Sequence, residues 1–140
     1  MARSQHLPLY QAIFTYTREI YKLRTKFPKL IKYDLGQEVS ASSIKLLKCV
    51  VLANGASNKE LFLNRLMLET EVQWALLRLL YELSAISIGQ FKLLSERLSQ
   101  ITKQGQAWLK WVQNQNKKSS NTTLSKKTLA ENSPSAFKDN

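Results

Sequence analysis

The sequence predicts an all-α protein: an up-down-up-down antiparallel four-helix bundle that assembles into a cyclic homo-oligomer. Three observations carry this. Four long segments place apolar residues at 3.6-residue spacing, only a few residues separate them, and two of them hold more apolar surface than a lone bundle can bury. No segment alternates apolar and polar residues as a half-buried strand would.

The first helix is expected from about Leu9 to Lys26, with Pro8 suited to its start and Phe27-Pro28 ending it. Tyr10, Ile13, Phe14, Thr17, Ile20 and Tyr21 form its expected core face. The second helix follows from about Lys29 to Ala53. Leu35, Val39, Ser42, Leu46, Cys49, Val50 and Ala53 make its core stripe, and Asn54-Gly55 stops it. Ser57-Asn58-Lys59-Glu60 reads as a capping box for the third helix, about Asn58 to Ser84, in which serine hydroxyl and glutamate each satisfy an orphan amide.

Ser87-Ile88-Gly89-Gln90 repeats that logic for the fourth helix, which is expected to reach about Gln113. Its seam, Phe91, Leu94, Leu98, Ile101, Gly105, Trp108 and Val112, alternates steps of three and four, the spacing of a bundle interior. Gly105 on that seam permits a close backbone approach, although glycine weakens a helix by about 1 kcal/mol. Residues 1–113 are thus read as one bundle. From Asn114 onward Ser, Asn, Thr and Lys dominate and periodicity is lost, so residues 114–140 are expected to be a disordered basic tail.

The third helix has one narrow polar sector, Glu60, Asn64, Glu71, Arg78 and Glu82, and is otherwise largely apolar. Arg78 and Glu82 are spaced as a surface i,i+4 pair. A helix inside its own bundle needs an apolar face little wider than 100°. The second helix carries an extra apolar stripe, Ile44, Leu47 and Val51, opposite its core. Surplus of this kind marks an interface, and cyclic self-association is the economical explanation. Within the apolar region of the third helix lies a polar ridge, Arg65, Glu69 and Gln73. Its spacing suits an ordinary intrahelical pair and equally a buried contact that fixes register between subunits.

Charge narrows the function. The 140 residues hold 21 Lys+Arg and 10 Asp+Glu, a net charge of +11, which draws polyanions toward the surface. Residues 1–50 hold nine basic and three acidic side chains, whereas 51–113 hold seven and five. Arg18, Lys22 and Lys26 form an i+4 stripe on the first helix, away from its core face, and Lys29 and Lys32 continue it. Lys45 and Lys48 occupy another sector of the second helix, and Lys92, Lys103 and Lys110 make a strip on the fourth. Like charges four apart repel within a helix, so such a stripe suits either a compensating polyanion or a solvated face. Trp111 points off the seam, positioned for stacking on a base or for terminal packing.

Other classes lack their residues. His6 is the sole histidine, no glycine-rich phosphate loop occurs, and the carboxylates are scattered. No catalytic residue, metal site or cofactor is therefore expected. Cys49, the single cysteine, sits mid-helix as a small hydrophobe and permits no intrachain disulfide. With no signal-like N-terminal run and no apolar stretch of membrane-spanning length, a cytoplasmic location without membrane partners is expected.

Phe27-Pro28-Lys29, Tyr33-Asp34-Leu35-Gly36, the helix ending in Ala53-Asn54, and Trp108-Leu109-Lys110-Trp111 together resemble a known four-helix-bundle family. It includes the accessory variability proteins (Avd) of diversity-generating retroelements and proteins encoded in intervening sequences of 23S rRNA genes. The resemblance extends over about residues 7–113. The ribosomal branch tends to carry Ser-Ile-x-x-Asn and Glu-Gly late in the second helix and just beyond. Here Lys45-Leu46-Leu47-Lys48-Cys49 and Asn54-Gly55-Ala56-Ser57 stand instead, which favours the Avd branch. The resemblance implies a pentameric barrel of bundles that binds a reverse transcriptase and template RNA or its cDNA in support of mutagenic retrohoming. It carries over no catalytic residue.

Overall fold

The computed structural model describes residues 6–131 in backbone and 6–119 in side chains. Five helices follow one another: α1 (Pro8–Arg24), α2 (Lys29–Lys32), α3 (Leu35–Gly55), α4 (Lys59–Glu82) and α5 (Ile88–Glu131). The chain divides into two units, one up to Leu109 and one from Lys110 onward. In the first, the four long helices pack antiparallel, as the short connections predict.

Leu9, Ile13, Tyr16, Thr17 and Ile20 form the buried face of α1. This face is rotated from the expected one: Tyr16 lies inside, while Phe14 and Tyr21 are exposed. Both stripes satisfy the helical period, so periodicity alone leaves the choice to the packing partner. The interior is closed by Val39, Leu46, Val50 and Ala53 from α3, Leu63, Leu66, Leu77 and Leu80 from α4, and Leu94, Leu98 and Ile101 from α5. A Cβ added at Gly105 would lie 2.9 Å from Met67 Sδ and 3.1 Å from Leu66 Cδ2, so the missing side chain is what lets α5 approach α4 there.

The expected second helix is two helices. Asp34, at φ −117° and ψ −86°, separates α2 from α3, and tertiary contacts hold the corner. Phe27 is buried, Arg24 Nε donates to the Lys32 carbonyl at 3.3 Å, and Gly36 brings α3 against Arg24, Phe27 and the Ile31 carbonyl. Neither proline nor a glycine run marks this break, which is why periodicity carries the helix straight through it. At the other end of α3, Gly55 adopts no left-handed conformation. The Lys59 ammonium donates to the Ala53 and Asn54 carbonyls, at 3.0 and 2.9 Å, and so caps the helix with charge.

The two expected capping boxes fare differently. At α5 the box is complete: the Gln90 amide donates to Ser87 Oγ (3.1 Å) and the Ser87 amide to Gln90 Oε1 (2.8 Å). At α4 the cap moves one residue, with Asn58 Oδ1 accepting from the Leu61 amide. Helix α5 runs from Ile88 to Glu131, past the end expected near Gln113 and into the first part of the expected tail. No glycine or proline interrupts the chain between Asn114 and Glu131, although Asn, Ser and Thr, weak helix formers, make up half of it. The rest of the expected tail, 132–140, lies outside the described residues.

Candidate nucleic-acid interface

Helix α1 presents a single ridge of residues four apart. Tyr10, Phe14, Arg18 and Lys22 follow one another, and Lys26 lies just beyond the helix end. Because the buried face is fixed by Ile13, Tyr16 and Ile20, this ridge is turned outward. Arg18, Lys22 and Lys26 are exposed, and among the described residues none pairs with a carboxylate. Arg18 instead holds its guanidinium carbon 6.0 Å from the centre of the Phe14 ring. Phe14 in turn stacks on Tyr10, with ring centres 6.1 Å apart and planes 22° apart.

The positive surface continues round the corner. Lys29 is exposed at the start of α2, and Lys32 is half-buried with its ammonium 5.9 Å from the Tyr33 ring. Lys45 and Lys48 are exposed on α3, but they sit elsewhere. Lys45 lies about 40° round the helix from Cys49, which feels the charges of Glu69 and Arg65 on α4. Lys92 and Lys103 are exposed on α5, and Lys110, in the second unit, is exposed as well. Trp111, also in the second unit, is exposed.

The expected subunit-interface residues divide by burial. Ile44 and Leu47 are half-buried and Val51 is exposed. Arg65 is exposed, with its guanidinium carbon 5.6 Å from the Phe62 ring, and Glu69 is half-buried. Gln73 is a correction: it is fully buried within its own chain. It accepts a 2.6 Å hydrogen bond from the Tyr16 hydroxyl and donates at 2.9 Å to the Val39 carbonyl, so it has no surface to offer a second subunit. A polar residue on an apolar face has either role open to it, and its interior partner, Tyr16, was hidden by the misplaced face of α1.

What α4 does offer outward is a row in steps of four and three: Leu61, Arg65, Leu68, Val72, Ala75 and Leu79, all exposed. Leu68 is 67% exposed. The row mirrors the buried one on the same helix, Leu63, Leu66, Thr70, Gln73, Leu77 and Leu80. Arg78 and Glu82 form the expected exposed ion pair at 3.0 Å; such pairs contribute little to stability.

Cys49 is half-buried, and its thiol is pushed up from its ordinary range by burial first, then by the Glu69 charge, with Arg65 pulling the other way. Burial and the Glu69 charge thus favour the protonated thiol. Among the described residues no cluster of three His, Cys, Asp or Glu could hold a metal ion, and no helix is long and apolar enough to cross a membrane. No protein family, curated protein or solved structure matches this chain.

Proposed function

We propose that this protein is a non-catalytic accessory subunit of a diversity-generating retroelement. It would bind template RNA or its DNA copy together with the reverse transcriptase, as a cytoplasmic ring of five subunits. The uncompensated row Arg18, Lys22 and Lys26 supports the nucleic-acid half of this reading, because outward cations without carboxylate partners are placed to neutralise phosphates. The reverse transcriptase, the retroelement and the number five come from the sequence resemblance alone. A ring would repeat the row around its circumference and add avidity to a weak single contact.

The test is binding as a function of salt. Affinity for RNA or DNA should fall by about one to several orders of magnitude between roughly 50 and 200 mM salt, as for about three to ten phosphate contacts. Replacing Arg18, Lys22 and Lys26 together by Gln should weaken binding to all sequences alike and flatten the salt dependence, with helicity and assembly intact. Unchanged affinity in that variant would remove the site from α1 and leave Lys45, Lys48 and the α5 lysines. A second reading, a structural adaptor without a nucleic-acid role, is favoured by the outward apolar row of α4. It forecasts no salt-sensitive binding at all. A reverse-transcriptase gene with a near-repeat beside this gene would separate the two readings without any biochemistry.

A further inference from the structure

The α1 ridge is half aromatic, and phosphate contact alone does not account for that half. Phe14 is 46% exposed and Tyr21 39% exposed, although burial of such a ring stabilises a fold by about 1.5–3 kcal/mol. The rings are not scattered. Tyr10 and Phe14 stack on each other, Arg18 lies over the outer one, and Lys22 follows one turn on. An open hollow of about 370 Å³ borders the pair, lined by Tyr10, Phe14, Gln11 and Thr15. Tyr21 stands one residue before Lys22, on the side of the ridge nearer the buried face. Planar rings with cations at their edge match a ligand that is itself planar rings joined by anions.

We infer that this ridge is a stacking platform for unpaired bases, with Phe14 and Tyr21 taking base faces while Arg18 and Lys22 hold the neighbouring phosphates. The inference rests on the nucleic-acid reading above and adds to it a preference for single strands. In a duplex the base faces are covered by their neighbours and the rings find no partner. In a single strand every base has a free face, whatever its identity, so the preference is for strandedness rather than for sequence. Tyr10 supports Phe14 from one side, and a base reaches the other face as the flexible Arg18 side chain swings from the ring to a neighbouring phosphate.

The experiment compares the full chain with its Phe14→Leu and Tyr21→Leu variants. Labelled single strands and duplexes of equal length and mixed sequence are titrated by fluorescence anisotropy across a salt series. Leucine keeps apolar bulk but removes the ring and leaves the charge unchanged. Native protein should prefer the single strand, and each variant should bind it about five- to a hundred-fold more weakly with the salt slope unaltered. Arg18→Gln with Lys22→Gln should do the opposite, flattening the slope for both ligands. A second readout needs no variant: a 2-aminopurine base in the strand should change its fluorescence on binding native protein.

Salt-sensitive binding with no strand preference, no 2-aminopurine response and no effect of Phe14→Leu would overturn the platform and leave the proposed function standing. Absence of any salt-sensitive binding would overturn both. If Phe14→Leu breaks the oligomer while strand binding stays native-like, the ring packs against a second copy of this chain and the inference fails.

Discussion

Tyr16 and Gln73 tie three helices together with two hydrogen bonds. The phenol of α1 donates to the carboxamide of α4, whose nitrogen donates to the Val39 carbonyl of α3. Both side chains are fully buried, so each polar atom depends on the other. Tyr16→Phe keeps the ring but strands Gln73 Oε1, and should cost about 1–3 kcal/mol at neutral pH. The phenol also makes stability depend on alkaline pH. Burial raises its pKa well above the ordinary value of about 10, so the folded chain keeps a proton that the unfolded chain releases. The stabilisation is fully present below about pH 10 and is lost as pH rises from there toward the folded value, at about 1.4 kcal/mol per pH unit. Denaturant midpoints from pH 7 to 11 should therefore show the native protein losing its advantage over Tyr16→Phe above pH 10. Parallel curves would mean the phenol is not shielded as its burial indicates.

At the level of helices, local signals were legible where the chain decides alone and failed where a neighbour decides. The Ser87–Gln90 box is satisfied within four residues, and it stands as read. Gly105 was legible too, because a glycine on an apolar seam has few other uses. The break at Asp34 and the rotated face of α1 were not, since Phe27, Arg24 and Gly36 act across elements and two apolar stripes competed on one helix. Spacing places Arg18 and Lys22 in one row, whereas Phe14 and Tyr21 fit the core period equally well and only the packing of α1 shows them exposed. The end of α4 shows a further local device that the residue types concealed. Ser84 has φ 60°, with its amide donating to the Tyr81 carbonyl and the Ala85 amide to the Leu80 carbonyl, a Schellman motif with serine where glycine is usual. A left-handed non-glycine residue costs about 1–2 kcal/mol, offset in part by the added freedom glycine gives the unfolded chain. Ser84→Gly should thus raise stability by about 0.5–1 kcal/mol, seen as a higher melting temperature. A lower one would show that the serine side chain supports the turn.

At the scale of the whole molecule, α4 has two seams and its own bundle fills only one. The inward row supplies Leu63, Leu66, Leu77 and Leu80 to the core, while Leu61, Leu68, Val72 and Leu79 stand exposed at matching heptad steps. Side chains of this size stabilise an association by about 1.5–3 kcal/mol each when fully buried, enough in combination to offset the entropy of joining subunits. A heptad row leaves its partner to be settled by concentration, and the partner always at hand is another copy. Light scattering at micromolar concentration should accordingly report a closed oligomer. Replacing Leu68 and Leu79 together by Gln removes apolar area from the outward row without adding charge or touching the core, so the variant should be a folded monomer of unchanged helicity. If avidity underlies nucleic-acid binding, the same variant should bind more weakly although every cation of the α1 ridge remains. A native monomer would remove the case for self-association, and a variant that stays assembled would show that the outward row of α4 is not the contact between copies.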